Sequence, residues 1–155
     1  KGDLVAFDTD MIGPYGYCAD ISRTFVEGRK LSNDQNKIHS LAYENVKYNE
    51  RLIKPGVSFR EFAEKAWQLP DNCFDNHYPC QIHGVGMSDE WPFIAYPNED
   101  YSNGDYSGIF KENMVVCVES YIGEKGSTEG AKLEDQYLIT KKGLELLSSI
   151  PLDKI

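Results

Sequence analysis

Six residues have the types and spacing to do chemistry together: Asp8, Asp10, Asp20, His83, Glu119 and Glu134. The three aspartates punctuate "DLVAFDTDMIGPYGYCADISRTF", residues 3–25, which otherwise reads as buried strand. An isolated carboxylate is costly to bury, so each needs an arginine, backbone donors or a metal cation. Arg23 is the only arginine in this stretch and cannot neutralise all of them. Taken singly, an aspartate here could cap a turn, Glu119 could pair with a lysine, and His83 could be a hydrogen-bonded core histidine. Together, five carboxylates and one imidazole are the donors expected around two hard to borderline divalent cations, bridged by carboxylates about 3.5–4 Å apart.

The elements that must position these residues can be read from the same sequence. Residues 3–10 and 15–26 are strand-like runs separated by Gly13-Pro14 and Gly16, which predicts an antiparallel hairpin. Alternation along a strand points Asp8 and Asp10 the same way, and the hairpin return brings Asp20 opposite them. Ser32 with Gln35 forms a capping box opening a helix that runs through Leu52 and is stopped by Pro55-Gly56. Ser58 with Glu61 opens a shorter helix to about Trp67. Residues 68–80 and most of 92–113 read as loop, with Pro92, Pro97, Asn103-Gly104 and Gly108 breaking any period. Glu119 ends "VVCVE" and Glu134 lies in "KLEDQYLIT", both within apolar strands, and Lys142–Ile150 suggests a closing helix. Between them, "QIHGVGMSDEWP" sets His83 before a Gly-x-Gly that permits close backbone approach. The pattern predicts an α+β domain with an antiparallel sheet.

Composition narrows the partners. The chain has 155 residues, enough for one domain with a core, and a formal net charge of −9. That charge disfavours nucleic acid and anionic membrane surfaces and leaves a small molecule or peptide as the ligand. The cysteines, Cys18, Cys73, Cys80 and Cys117, form no C-x-x-C pair, and no signal-peptide pattern or spanning apolar run is present. Scattered reduced thiols in a cytoplasmic protein are the expectation. "KGDLVAF" begins without Met on the approach to a strand, as the later part of a longer protein would.

"FDTDMIGPYGYCADISRTF", "IHGVGM", "VVCVES" and "GAKLEDQYLIT" resemble the ordered motifs of the pita-bread metallopeptidase family, which includes methionine aminopeptidase, aminopeptidase P, prolidase and creatinase. The resemblance spans Gly2 to Thr140 and implies that residues 1–155 are the C-terminal part of a pita-bread catalytic domain. Two departures stand out. Asp10 occupies the third position of the usual Asp-x-Gly element, with one extra residue before Asp20. "HGVGMSDEWP" also lacks the second histidine that the peptidases carry after His-Gly-x-Gly, and His39 and His77 lie elsewhere. Both versions are similar to the branch of dimethylsulfoniopropionate lyases built on this scaffold.

That resemblance implies that Asp8, Asp10, Asp20, His83, Glu119 and Glu134 bind two divalent metal ions, iron first, with manganese, zinc or cobalt as alternatives. It implies Asp89 as the catalytic base and a homodimer in the full-length protein. Four carboxylates neutralise two divalent cations, so Asp10 leaves the site one charge negative. Such a site suits iron or manganese over zinc and raises the pKa of bound water, which disfavours hydrolysis. The sulfonium end of the substrate should prefer aromatic faces, for which Tyr78, Trp91 and Tyr96 are candidates. An Xaa-Pro dipeptidase or aminopeptidase, another C–S or C–N lyase, and a binding module without catalysis are the alternatives.

Overall fold

The structure, a computed structural model, describes residues 1–97, 99 and 107–153. The first hairpin forms as expected in outline: β1 (Leu4–Asp8) pairs antiparallel with β4 (Ser22–Val26), Asp8 opposite Ser22. Between them, β2 (Met11–Ile12) and β3 (Cys18–Ala19) make a second, two-stranded ribbon around a 3-10 turn at Pro14–Gly16. The chain therefore leaves β1 at Asp8 rather than at Asp10.

Helix α1 (Asn33–Asn49) starts at the Ser32–Gln35 capping box, with both reciprocal hydrogen bonds made, and a 3-10 turn over Glu50–Leu52 ends it. Helix α2 (Phe59–Lys65) starts where the Ser58 hydroxyl accepts the Glu61 N–H. The segment expected as loop after it contains a 3-10 turn, Asp71–Asn76.

Two strands were not legible in the sequence: β5 (Cys80–Gly84) and β6 (Phe93–Ala95), the latter within the stretch expected as loop. Asn103-Gly104 of that stretch lies outside the described residues. Strand β5 is buried along its whole length despite carrying Gln81 and His83, so it lacks the apolar run of a central strand. Its polar side chains are satisfied from inside: Gln81 donates to the Ala95 carbonyl at 3.2 Å, and Asn49 of α1 donates to Asn45 at 2.8 Å and towards Gln81 at 3.5 Å. The glycine at 84 is dictated by space, since a Cβ there would come within 2.3 Å of the Trp91 carbonyl oxygen.

Strands β7 (Val115–Gly123) and β8 (Gly130–Thr140) are the long central pair and match expectation. The closing helix does not form. After a turn at Lys141-Lys142 the chain returns as β9 (Gly143–Leu146), pairing with the Tyr137–Thr140 end of β8, which β4 leaves open. Gly143 has φ +126°, a conformation that a helix start cannot use and that glycine adopts freely. The sheet runs β1-β4-β8-β7-β5-β6, with β9 beside β8.

Alternation divides this sheet into two chemistries. Val116, Val118 and Leu133 face one side and join Ile38, Ala42 and Val46 of α1 in the core. Each of these core side chains is at least nine-tenths buried, and burial of an aliphatic side chain stabilises by about 1.5–3 kcal/mol. Arg23 and Asp135 point to this side too, paired at 2.5 Å, with Arg23 also donating to the Glu134 and Ile150 carbonyls. The one arginine of the hairpin is thus committed away from the acids. Cys117, Glu119 and Glu134 face the other side.

Candidate metal centre

Strand register builds the site. Glu119 of β7 lies directly opposite Glu134 of β8, Glu134 opposite Ser22 of β4, and Ser22 opposite Asp8 of β1. His83 of β5 lies opposite Cys117, two residues from Glu119 and so on the same face. The result is a row of donors across five strands, buried at Asp20, His83, Glu119 and Glu134 and open to solvent at Asp8 and Asp10.

All six residues singled out in the sequence converge. Asp8, Asp10 and Asp20 offer carboxylate oxygens within 4.8 Å of one another, and the same spread holds the Asp20 and Glu134 carboxylate oxygens, a His83 ring nitrogen and Cys117 Sγ. Asp20 belongs to both groups. His83 Nε2 stands 2.9 Å from Glu134, 3.6 Å from Glu119 and 3.7 Å from Asp20. Asp10 reaches this place by a route that strand parity does not describe: its φ is +32°, and its N–H approaches Asp20 Oδ1 at 3.5 Å. Thr9, whose hydroxyl accepts the Ile21 N–H at 3.0 Å, holds the bend that turns Asp10 inward.

Four residues that sequence reasoning did not select complete the surroundings. Ser22 Oγ lies 2.8 Å from Asp8 and 2.6 Å from Glu134, so one hydroxyl proton stands between two carboxylates. Gln136 accepts the Asp20 N–H at 3.0 Å. Cys117 is fully buried among the acids. Lys132 changes the charge balance. Its ammonium ion-pairs with Glu119, sits 3.5 Å from Asp8, and lies over the Tyr78 ring at 4.7 Å. The excess negative charge inferred from Asp10 is therefore offset by a cation of the chain itself, and charge count alone no longer favours iron or manganese over zinc. The pairings conceivable for Glu119 and His83 taken singly both occur, with Lys132 and Glu134, inside the cluster rather than instead of it.

The donors fit divalent cations on an observation independent of their residue types. Glu119 Oε1 is buried with no hydrogen-bond partner and points towards His83. A buried carboxylate oxygen left unpaired costs about 1–3 kcal/mol, which a cation between Glu119 and His83 would recover.

Protonation follows the crowding. Burial, then Glu134, Asp10 and Asp8, push the Asp20 carboxyl up to about 8 against the opposing pull of His83. Burial pulls the His83 imidazole down, but Glu134 and Glu119 outweigh it and raise it to about 9. Burial likewise raises Glu119, partly offset by Lys132, whereas for Glu134 the hydrogen bond from His83 and the positive charge of Lys132 overcome burial and lower it. Folded protein without metal thus holds protons that the unfolded chain lacks, on Asp20 between about pH 4 and 8 and on His83 between about 6.5 and 9. Stability from these protons is lost as pH rises through those windows, while a cation that displaces them binds better. The melting temperature of metal-free full-length protein should fall from about pH 6 to 9, and its rise on adding Mn²⁺ should grow over the same range. A metal-induced rise that stays flat with pH in scanning fluorimetry would contradict this protonation scheme.

Asp89 stands at the rim, on the loop after β5. Gly86 of that loop is tied to the first hairpin, its carbonyl accepting the Cys18 N–H at 2.7 Å. Asp89 Oδ1 is 3.8 Å from His83 Nδ1, beyond hydrogen-bond range, and Nδ1 lies nearer the Gly84 carbonyl, at 3.2 Å. Burial raises the Asp89 carboxyl, with His83 pulling the other way.

The aromatic candidates separate. Tyr78 lines a cleft of about 480 Å³ with Asp8, His77, Glu90 and Lys132, its hydroxyl 3.4 Å from Glu90. Trp91 is 55% exposed and lines a different, apolar cavity with Phe59, Ile94 and Phe110. Tyr96 is 8% exposed; its hydroxyl accepts a hydrogen bond from Asn45 at 2.6 Å, and its ring packs on His77. Only Tyr78 of the three faces the cleft beside the acids.

Against known families, residues 1–141 match the model of metallopeptidase family M24. The chain belongs to metallopeptidase family M24. Within and around this family it is 39% identical, over 99% of its length, to the dimethylsulfoniopropionate lyase DddP of Roseovarius nubinhibens, and 38% identical to that of Roseobacter denitrificans over the same share. In both cases it spans 34% of the relative. The prolidase of Pyrococcus horikoshii superposes with a TM-score of 0.78 at 28% identity, over all of this chain and 42% of that one. The fold is accordingly that of the M24 pita-bread domains, α+β with an antiparallel sheet. Among the described residues, no helix is long and apolar enough to cross a membrane.

Proposed function

We propose that this M24 chain carries the metal centre of a dimethylsulfoniopropionate lyase, which releases dimethyl sulfide and acrylate by removing an α proton. Asp8, Asp10, Asp20, His83, Glu119 and Glu134 are the metal ligands in this reading, Asp20 shared between the two cations. The cations, iron by resemblance to the lyase branch, would hold the substrate carboxylate and offset the charge that builds on it as the α carbon loses its proton. Asp89 takes that proton. Electrons of the broken C–H bond form the α–β double bond, and dimethyl sulfide departs from the β carbon with the C–S pair. The sulfonium is already a neutral leaving group in waiting and needs no acid. Tyr78 and Glu90 flank its cationic end, an aromatic face and a carboxylate side by side. Lys132 keeps Glu119 and Asp8 oriented while supplying no acceptor for the proton.

The observation that carries this reading is Asp89: a carboxylate at the rim of the cluster, partly desolvated, and not hydrogen-bonded to His83. A base whose pKa is raised towards the working pH is better suited to proton removal than an ordinary aspartate. The similarity to the prolidase favours a second reading, an Xaa-Pro dipeptidase or aminopeptidase on the same metals. The segment from His83 to Trp91 offers that chemistry no further histidine.

The two readings part in one assay. Full-length protein loaded with Fe²⁺ is incubated separately with dimethylsulfoniopropionate and with an Xaa-Pro dipeptide. Dimethyl sulfide without free proline supports the lyase; free proline without dimethyl sulfide assigns the chain to peptide hydrolysis. Asp10→Gly should lower lyase turnover and shift the preference among Fe²⁺, Mn²⁺ and Zn²⁺, because it removes a carboxylate from the Asp8–Asp20 group. Unchanged turnover and metal content in the purified variant would make Asp10 structural.

A further inference from the structure

The two halves of the cluster are chemically unlike. Around Asp8, Asp10 and Asp20 the donors are all carboxylate oxygens, whereas around Asp20, His83 and Glu134 a sulfur stands among them. Cys117 is two residues before Glu119 on β7 and directly opposite His83 on β5, so its side chain shares their face of the sheet. Its Sγ lies within 4.8 Å of the His83 ring nitrogen and of the Asp20 and Glu134 carboxylate oxygens, the spread of a set that can close on one ion. The thiol donates to the Asp20 carbonyl at 3.5 Å, a weak bond that leaves the sulfur lone pairs free. A second observation marks the same place: Glu119 Oε1, on the residue two further along β7, is buried without a partner and aimed at His83.

We propose that Cys117 is a sulfur ligand to the cation held beside His83, making that position selective for thiolate-accepting metals over manganese and magnesium. The proposal rests on the metal-centre reading above and adds a donor to it. On binding, the cation forms a metal–sulfur bond as the S–H bond breaks, and the proton leaves to solvent. Thiolate is a soft donor that favours zinc, cobalt and iron over manganese, whereas the oxygen-only half has no such preference. One centre would therefore hold two cations of different affinity and type.

Co²⁺ is the probe. Full-length protein stripped with chelator and titrated with Co²⁺ should develop an intense near-ultraviolet sulfur-to-cobalt charge-transfer band that saturates with one equivalent. Cys117→Ser, similar in size, should bind Co²⁺ without the band, and its preference for Co²⁺ over Mn²⁺ should fall roughly tenfold or more. Cys18→Ser, which removes the other thiol near the aspartates, should leave the band intact. X-ray absorption at the cobalt edge of the wild-type protein should show one sulfur neighbour, a readout that needs no variant to fold. Bound Co²⁺ with no sulfur signal in the wild type, or a band that survives in Cys117→Ser, would overturn the ligand while leaving the metal centre in place. Absence of any Co²⁺ binding would overturn both.

Discussion

Asp89→Asn is expected to cut turnover of dimethylsulfoniopropionate by roughly 10²–10⁴, the loss of a positioned general base. That corresponds to about 3–5 kcal/mol of barrier. The amide is nearly isosteric, and the Asp89 carboxylate accepts only the Glu90 N–H at 3.2 Å among its described hydrogen bonds, so the fold should be little affected. Metal content should be unchanged, because His83 turns Nδ1 towards Gly84 rather than Asp89 and keeps Nε2 for the cluster. Substrate affinity should also hold, since the interaction removed exists only while the proton is in flight. The wild-type rate should rise with pH as the Asp89 carboxyl ionises, and the Asn variant should lose that limb. An Asn variant with wild-type turnover would remove Asp89 from the chemistry.

Asp20→Asn, by contrast, should act on the metals themselves. Asp20 is the residue common to both donor groups, and its N–H is anchored by Gln136. Its amide keeps the shape but loses the charge that two cations share, so affinity at both positions should weaken by at least about 100-fold. Metal analysis after dialysis should find neither position filled. The metal-free variant should conversely melt higher than metal-free wild type above about pH 8, because one member of a crowded set of acids has become neutral. Loss of metal together with a lower metal-free melting temperature would show that Asp20 supports the fold rather than the cations.

The parts of this site that were legible in the sequence are those where residue type conflicts with setting. Glu119 and Glu134 are acids in apolar strands and Asp20 is an acid buried between β3 and β4, and no solvated-surface explanation accommodates them. Asp8 and Asp10 were also placed together correctly, but alternation was the wrong reason: β1 ends at Asp8, and Asp10 turns inward through a left-handed residue fixed by Thr9. Lys132 was invisible because an isolated lysine in a strand reads as an outward-facing side chain. Only the register of β7 against β8, and of β8 against β4, reveals that it stands between Glu119 and Asp8.

The fold shows the same division. Capping residues Ser32 and Ser58 marked both helix starts, because N-caps are local. Strand β5 carries no strand signal because Gln81 and His83 are polar in a buried strand, Gln81 partnered by α1 and β6 and His83 by Glu134 of β8, all from distant sequence. The sequence suggests a closing helix over Lys142–Ile150, yet the open half of β8 offers unpaired backbone groups that a strand satisfies and a helix cannot. Trp91 and Tyr96 carry no sequence mark of where their rings point, and the cleft belongs to Tyr78 alone of the three.

The central claim is elimination by α-proton removal, and the most direct measurement follows the fate of that proton. Full-length Fe²⁺-loaded protein is given dimethylsulfoniopropionate carrying deuterium at both α positions, and the products are identified by NMR and mass spectrometry. The account predicts dimethyl sulfide with acrylate that has lost one of its two α deuterons, formed more slowly than from unlabelled substrate when proton removal limits the rate. A three-carbon product hydroxylated at the β carbon and retaining both deuterons would contradict it, since water would then have displaced the sulfide with Asp89 taking no proton from carbon.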